Sequence, residues 1–196
     1  MQTICEHGVR LSGKTNRGIV VELRSLMEQD WDLLFRWNQD PEVLYYSEGD
    51  DVQGYTLEEI QGIYRSVSEA AFCFVIEVGG ISIGECWLQS MNLEQILEAY
   101  PERGCSRIDL MIGERAYWGQ GIGTEVIRLL TEFGFKEEDA DMIFACHVAD
   151  YNLGSLKAFG KAGYNLILTE AVEPGKKAKC HHFLAMRREE WEQQGL

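Results

Sequence analysis

Between an alternating, strand-like run ending near Gly113 and an amphipathic run that follows lies the hexamer Trp118-Gly119-Gln120-Gly121-Ile122-Gly123. A glycine-rich turn leading into a helix gathers unpaired backbone N–H groups at the positive end of the helix macrodipole. Glycine also removes the side chains that would hold an anion away, so the run predicts a pyrophosphate cradle and a nucleotide-bearing ligand. Two other phosphate loops are excluded. No Gly-Lys-Ser/Thr follows, as a P-loop requires. The spacing is Gly-x-Gly-x-Gly with more than a hundred residues before it, whereas the dinucleotide-binding fingerprint opens its fold as Gly-x-Gly-x-x-Gly.

The periodicities around this loop predict a mixed α/β order. A strand covers about 19–24, and a helix capped by Asp30 runs through Trp31, Leu34, Phe35 and Asn38 until Pro41 ends it. Residues 42–55 read as a loop. Thr56 and Glu59 have capping-box spacing and open a helix that closes near Ser68. Strands are expected near 72–78, 81–91 and 105–113, with an acidic excursion at 92–104. The helix after the glycine loop runs to about Lys136; a strand at 142–148, a short helix at 153–162 and a hairpin near 164–171 and 178–186 complete the order. The charged residues 187–196 read as a helical turn or a frayed end.

One domain accommodates these elements, because 196 residues with 45% hydrophobic side chains can bury a core and three prolines mark no linker. Residues 1–18 read as an N-terminal extension, 19–187 as the domain and 188–196 as a tail. The segment Met1 to Gly18 lacks a continuous apolar stretch, so neither a signal peptide nor a membrane span is expected and the protein reads as cytoplasmic. Six cysteines, at 5, 73, 86, 105, 146 and 180, have neither zinc-site spacing nor the density of a disulfide scaffold. They read as buried reduced thiols. A net charge of −14 makes nucleic acid a poor partner.

Downstream, Asn152-Leu153-Gly154-Ser155 opens a short helix through Leu156, Ala158, Phe159 and Ala162 that closes at Gly163-Tyr164. Loop and helix together resemble motifs A and B of the GCN5-related N-acetyltransferase (GNAT) superfamily, Arg/Gln-x-x-Gly-x-Gly/Ala followed about thirty residues later by Asn-x-x-(Ser/Ala)-x-x-x-(Tyr/Phe)-x-Lys-x-Gly-Phe. Val21-Glu22-Leu23-Arg24-Ser25-Leu26 with Asp30 is similar to the family's first strand and helix start, and Val78-Gly79-Gly80-Ile81-Ser82-Ile83-Gly84 to the hairpin of its second and third strands. The likeness spans roughly residues 19–187. It implies an α/β (α+β) GNAT fold with one central mixed, mostly antiparallel sheet, splayed in the middle and flanked by helices. It also implies acetyl-CoA as cosubstrate and no metal. Carried to the matching positions, cofactor contacts fall to Met111, Ile112 and Gly113, whose region supplies the backbone oxyanion donor. They fall also to Trp118, Gly119, Gln120, Gly121, Ile122, Gly123 and Thr124, and to Asn152, Ser155, Phe159 and Lys161.

Two positions depart from the family pattern. Trp118 stands where Arg or Gln is usual, although that position chiefly contributes main-chain contacts. Phe159 replaces the tyrosine that in many relatives protonates the departing sulfur. A thiol of pKa near ~8.5 is already a fair leaving group, and the general acid stays unassigned.

Asp109 interrupts an apolar strand ten positions before Gly119, and a charge there needs a partner or a purpose. It either faces solvent, pairs with Arg107, or acts on substrate. For the last, the Ile108-Asp109 pair is similar to that of aminoglycoside 6'-N-acetyltransferases, in which the aspartate contacts the amine to be acetylated. His147 ends the strand before Asn152 and reads as a structural histidine or an alternative base. Strand alternation sends the members of Cys180-His181-His182 to opposite faces, which argues against a metal site.

Resemblance to the same subfamily implies substrate contacts from Trp37, Asp40, Tyr45, Tyr46, Glu85, Asp109 and His147. Trp31 and Trp37 read equally well as core. Acidic residues at 40, 42, 48, 50, 51, 85, 94, 98 and 102 fall in the same pocket-forming regions. Carboxylates and aromatic faces suit a small polycationic amine, most naturally an aminoglycoside, whose acetylation confers antibiotic resistance. Two other classes stay open: an acetyltransferase for ribosomal-protein or peptide N-termini, which Tyr117-Trp118-Gly119-Gln120-Gly121 also resembles, and a non-catalytic CoA-binding sensor. No membrane partner is expected, and an exposed edge strand allows a monomer or a homodimer.

Overall fold

A computed structural model of the chain describes residues 3–48 and 54–195. Eight strands form one sheet: β1 (Arg10–Lys14), β2 (Val20–Ser25), β3 (Ala71–Val78), β4 (Ile81–Ser90), β5 (Cys105–Ile112), β6 (Met142–Ala149), β7 (Asn165–Ala171) and β8 (Cys180–Arg187). Their spatial order is β1-β2-β3-β4-β5-β6-β8-β7, and the β5–β6 contact is parallel while all the others are antiparallel. The helices are α1 (Trp31–Trp37), α2 (Pro41–Ser47), α3 (Leu57–Ser68), α4 (Glu94–Ala99), α5 (Ile122–Lys136), α6 (Leu153–Lys161) and α7 (Arg188–Gln193). The mixed, mostly antiparallel sheet flanked by helices is the architecture that the family resemblance implied.

Local chemistry sets several of these boundaries. The Thr56 hydroxyl accepts from the Glu59 N–H at 3.2 Å while the Glu59 carboxylate accepts from the Thr56 N–H at 2.7 Å, closing the capping box at the start of α3. Helix α5 turns Ile122, Val126, Ile127, Leu130 and Phe133 onto the sheet, where they join Phe74, Ile76, Ile108 and Ile143 in the main core. On the opposite face, α1 and α3 bury Leu34, Trp37, Ile60 and Tyr64 against Cys73, Val75 and Met111.

Several expectations change or sharpen. Pro41 ends α1, but it also begins α2: proline suits the first turn of a helix, and Asp40 caps it by accepting from the N–H groups of Glu42 (2.9 Å) and Val43 (3.3 Å). Much of the expected 42–55 loop is therefore helical, and residues 49–53, with Asp50 and Asp51, lie outside the described residues. The acidic excursion contains α4. Residues 10–14, expected ahead of the domain, supply the edge strand β1, and Glu125 of α5 accepts from the Lys14 N–H at 3.0 Å. At the other end the tail is the short helix α7, docked through buried Trp191 against Phe135 at 5.4 Å between ring centroids. The cysteines also divide: 73, 86, 105 and 146 are buried, Cys180 is half-buried and Cys5 is exposed. No helix among the described residues is long and apolar enough to cross a membrane.

Candidate active site

Strands β5 and β6 pair only from Cys105↔Met142 to Arg107↔Phe144. Beyond that point they part, and β6 distorts: its register with β8 shifts between Ala145 and Val148, and His147 takes φ 55°. A positive φ outside glycine is uncommon, so packing on both sides must hold this kink. Two cavities open at the gap and share Tyr46, Ser47, Leu110, Asn152 and Ser155 as walls.

The larger cavity, about 520 Å³, runs from the end of β5 over the glycine loop to α6. Gly121 precedes α5 at φ 85°, and no side chain caps that helix, so its first-turn N–H groups are left for another acceptor. Nothing lies within 4 Å of where a Cβ on Gly119 would stand. This uncluttered, donor-rich surface fits a pyrophosphate, and Lys157 and Lys161, one turn apart on α6, add positive charge to the same cleft. The Trp118 indole N–H donates to the Ile112 carbonyl at 2.7 Å, and its ring meets Tyr46 edge-on at 5.6 Å. Trp118 thus ties the loop to the end of β5 through its side chain. The Asn152 side chain caps α6 by accepting from the Ser155 N–H at 3.0 Å and donates to the Tyr46 carbonyl at 2.8 Å, joining α6 to α2.

The smaller cavity, about 220 Å³, is lined by Glu48, Arg107, Asp109, Cys146, His147, Phe159 and His181 besides the shared residues. Arg107 donates to both oxygens of Asp109 at 2.8 Å, and the Trp87 indole N–H donates to Oδ2 at 3.1 Å. Asp109 therefore has the Arg107 partner and also faces the cavity. Burial, and then the neighbouring His181 and Arg107, lower the pKa of His147, so its imidazole is neutral at neutral pH. Burial pushes the Cys146 thiol up to about 12. Alternation on β8 turns His181 toward His147, at 5.7 Å between rings, while His182 contacts Thr169 at 2.9 Å and Cys180 at 3.8 Å.

A family model for the acetyltransferase (GNAT) domain matches residues 21–165. The chain is a GNAT acetyltransferase. Aminoglycoside N(6')-acetyltransferase type 1 of Klebsiella pneumoniae is 23% identical to it over 155 residues, 76% of each chain. Among solved structures, aminoglycoside acetyltransferase AAC(6')-Ib in complex with coenzyme A superposes with a TM-score of 0.76 at 20% identity, covering 90% of this chain and 99% of that one. AAC(6')-Ib with ribostamycin and coenzyme A gives 0.75 at 21% identity, covering 88% and 96%. This GNAT acetyltransferase is an acetyl-CoA-dependent N-acetyltransferase.

Met111, Ile112, Trp118, Gly119, Gly121, Ile122, Gly123, Thr124, Asn152, Ser155 and Lys161 line the larger cleft of the GNAT fold. Three residues expected with them do not. A Cβ on Gly113 would collide with the Trp37 ring, so this glycine serves the core contact. The Gln120 side chain donates to the Ala116 carbonyl at 2.7 Å, and Phe159 walls the smaller cavity. Tyr164, near Phe159 in sequence and buried at 5.1 Å from its ring, hydrogen-bonds Thr131 at 2.7 Å and lines neither cavity, so it does not replace the missing tyrosine.

The expected substrate residues divide likewise. Tyr46, Asp109 and His147 line the smaller cavity, and Tyr45 lies beside Tyr46 with its ring at 4.9 Å. Trp37 is core, 1% exposed, with its indole N–H on Glu114 at 3.0 Å. Asp40 is committed to the α2 cap and to Arg115. Glu85, 5% exposed, lies under α3, where burial and the nearby Asp109 charge hold its carboxyl well above the usual carboxylate range. Among the described residues the acidic set does not converge: Glu42 pairs with Arg115, Glu94 and Glu98 belong to α4, and Glu48 joins Asp109 as a carboxylate lining the smaller cavity. Lys157, Tyr151 and Arg107 were not anticipated as site residues. Lys157 had a signal in its one-turn spacing from Lys161, and Arg107 in its place beside Asp109 on β5; Tyr151 had none.

Proposed function

We propose that this acetyltransferase moves the acetyl group of acetyl-CoA directly to a primary amine of a small polycation, most naturally the 6'-amine of an aminoglycoside, and so confers resistance to it. One observation carries the reading: a cavity holding Asp109 shares a wall with a donor-rich, anion-fitting cleft. In this reading the cleft binds the cofactor through the loop amides and the α6 lysines, and the neighbouring cavity takes the amine. The amine nitrogen bonds to the thioester carbonyl carbon as the carbon–sulfur bond breaks; the nitrogen gives up a proton and the sulfur leaves as a thiolate that is then protonated. Backbone N–H groups around residues 111–113, at the end of β5 beyond its parting from β6, stabilise the developing oxyanion.

Asp109 acts as an anchor in this scheme. A carboxylate is too weak a base to strip an alkylammonium beforehand. Held by Arg107 and Trp87, its carboxylate orients the amine and accepts or stabilises the proton once C–N bond formation makes the nitrogen acidic. Tyr45, Tyr46 and Glu48 contribute ring faces and a second negative charge. The similarity to aminoglycoside acetyltransferases, among them one solved with ribostamycin, supports the acceptor class.

The test is acetyl transfer to kanamycin-like aminoglycosides against basic peptides, read as coenzyme A release and by mass spectrometry of the product. Acetylation of the aminoglycoside amine is expected. Transfer to peptide N-termini alone would replace this acceptor, and tight cofactor binding without turnover on any amine would make the protein a CoA sensor.

A further inference from the structure

Within an acidic chain, the connection between β7 and β8 carries a concentration of cations, Lys176, Lys177 and Lys179. Lys177 reaches out of its own hairpin onto α2. Its Nζ stands 3.6 Å from the centroid of the Tyr45 ring and 5.3 Å from that of Tyr151, and it donates to the Tyr45 carbonyl at 3.2 Å. The two rings are 5.0 Å apart and inclined at 46°. Two aromatic faces with a carbonyl acceptor form a recognition set for an alkylammonium, combining ring quadrupoles with a hydrogen bond. The set adjoins the site already described: Tyr46, beside Tyr45, lines both cavities, and Tyr151 lines the larger one. At the base of the loop, the Lys179 N–H donates to Asp150 at 3.2 Å and the Val172 N–H to the Lys179 carbonyl at 3.0 Å, so the hairpin stem is held independently of the Lys177 contact.

Building on the acceptor class proposed above, we propose that Tyr45, its carbonyl and Tyr151 form an ammonium subsite beside Tyr46, where the acceptor cavity meets the larger cleft. Lys177 fills it in the free enzyme, and a second ammonium of a polycationic acceptor takes it by moving the tip of the 172–179 loop aside. Lys177 is then an internal competitor that a polycation must displace and that a monoamine, anchored at Asp109 alone, never meets. Because Tyr45 is 42% exposed, the contact is a surface one, and its loss should change affinity by about two- to fivefold.

Calorimetric titration of the coenzyme A-bound protein tests this. Lys177→Gln should bind kanamycin about two- to fivefold more tightly than the unaltered protein, with affinity for the monoamine 6-amino-6-deoxyglucose and for coenzyme A unchanged. Tyr45→Leu should weaken kanamycin binding and erase the effect of Lys177→Gln in the double variant; melting curves check that each variant folds. Kanamycin affinity equal or lower in Lys177→Gln, an equal gain for the monoamine, or no binding of kanamycin by either protein would overturn the subsite. So would weaker coenzyme A binding with kanamycin affinity unchanged, which would make Lys177 a clasp on the cofactor cleft. The expected binding pattern without acetyl transfer would count against the proposed reaction and leave the subsite standing.

Discussion

The two cavities that meet at Tyr46 are built by opposite means. The larger is built around the glycine loop, Tyr117 to Thr124, between the end of β5 and α6 with α2 alongside, and at its centre it offers a ligand main-chain N–H groups. The smaller collects side chains from α2, β5, β6, α6 and β8, segments far apart in the chain, and what it offers is their charge and shape. A site made of backbone tolerates changes of side chain and fails when φ is disturbed; a site made of side chains behaves in the opposite way.

The largest effect should follow from attacking the backbone. Gly121→Val puts a β-branched residue at φ 85°, and coenzyme A affinity should fall by on the order of 100-fold while amine binding to the cofactor-free protein persists. Calorimetry on both ligands checks this; unchanged cofactor affinity would break the contrast. Next comes the side-chain site. Asp109→Asn should keep coenzyme A binding and lower acetylation by about tenfold or more, and steady-state rates that do not move would remove Asp109 from the mechanism.

Trp118→Phe sharpens the comparison, since it deletes the one side-chain hydrogen bond that ties the loop to Ile112. A loss of about 1 kcal/mol corresponds to roughly fivefold weaker coenzyme A binding, measurable by equilibrium titration. The smallest effect concerns Glu85, which the cavities do not reach. Its folded pKa is raised above the ordinary 4.5. The fold therefore keeps a proton that the unfolded chain releases, and the associated stability is whole below that value and declines as pH rises toward the raised pKa. Glu85→Gln removes the titration, so its melting temperature relative to the unaltered protein should rise between pH 5 and pH 8. A difference independent of pH would mean that Glu85 is ionised in the fold.

Much of the fold was legible before any coordinates. Thr56 with Glu59, Asn152 with Ser155, and the glycines around Gln120 announce helix starts because each acts on N–H groups within a few residues. Pro41 was legible only in half: a proline stops one helix and suits the first turn of the next, and the same residue does both. β1 has no apolar face to read, with its residues alternating between exposed and half-buried, so its place at the sheet edge was invisible. The acidic residues were the least legible. Asp40 caps a helix, Glu42 pairs with Arg115, Glu85 is buried and Glu48 meets the cavity, although composition treats them alike.

The amino-acid sequence alone determined a glycine-rich turn before α5, a capped helix behind it and a carboxylate on the strand ahead of them. These depend on dihedral preferences and hydrogen bonds between near neighbours. Tertiary structure alone decided that β5 and β6 separate after Arg107, that Trp87 joins Arg107 in holding Asp109 at the gap, and that Lys177 crosses to Tyr45. Strand order, register and loop docking bring distant residues together, and no local pattern encodes which distant side chain arrives.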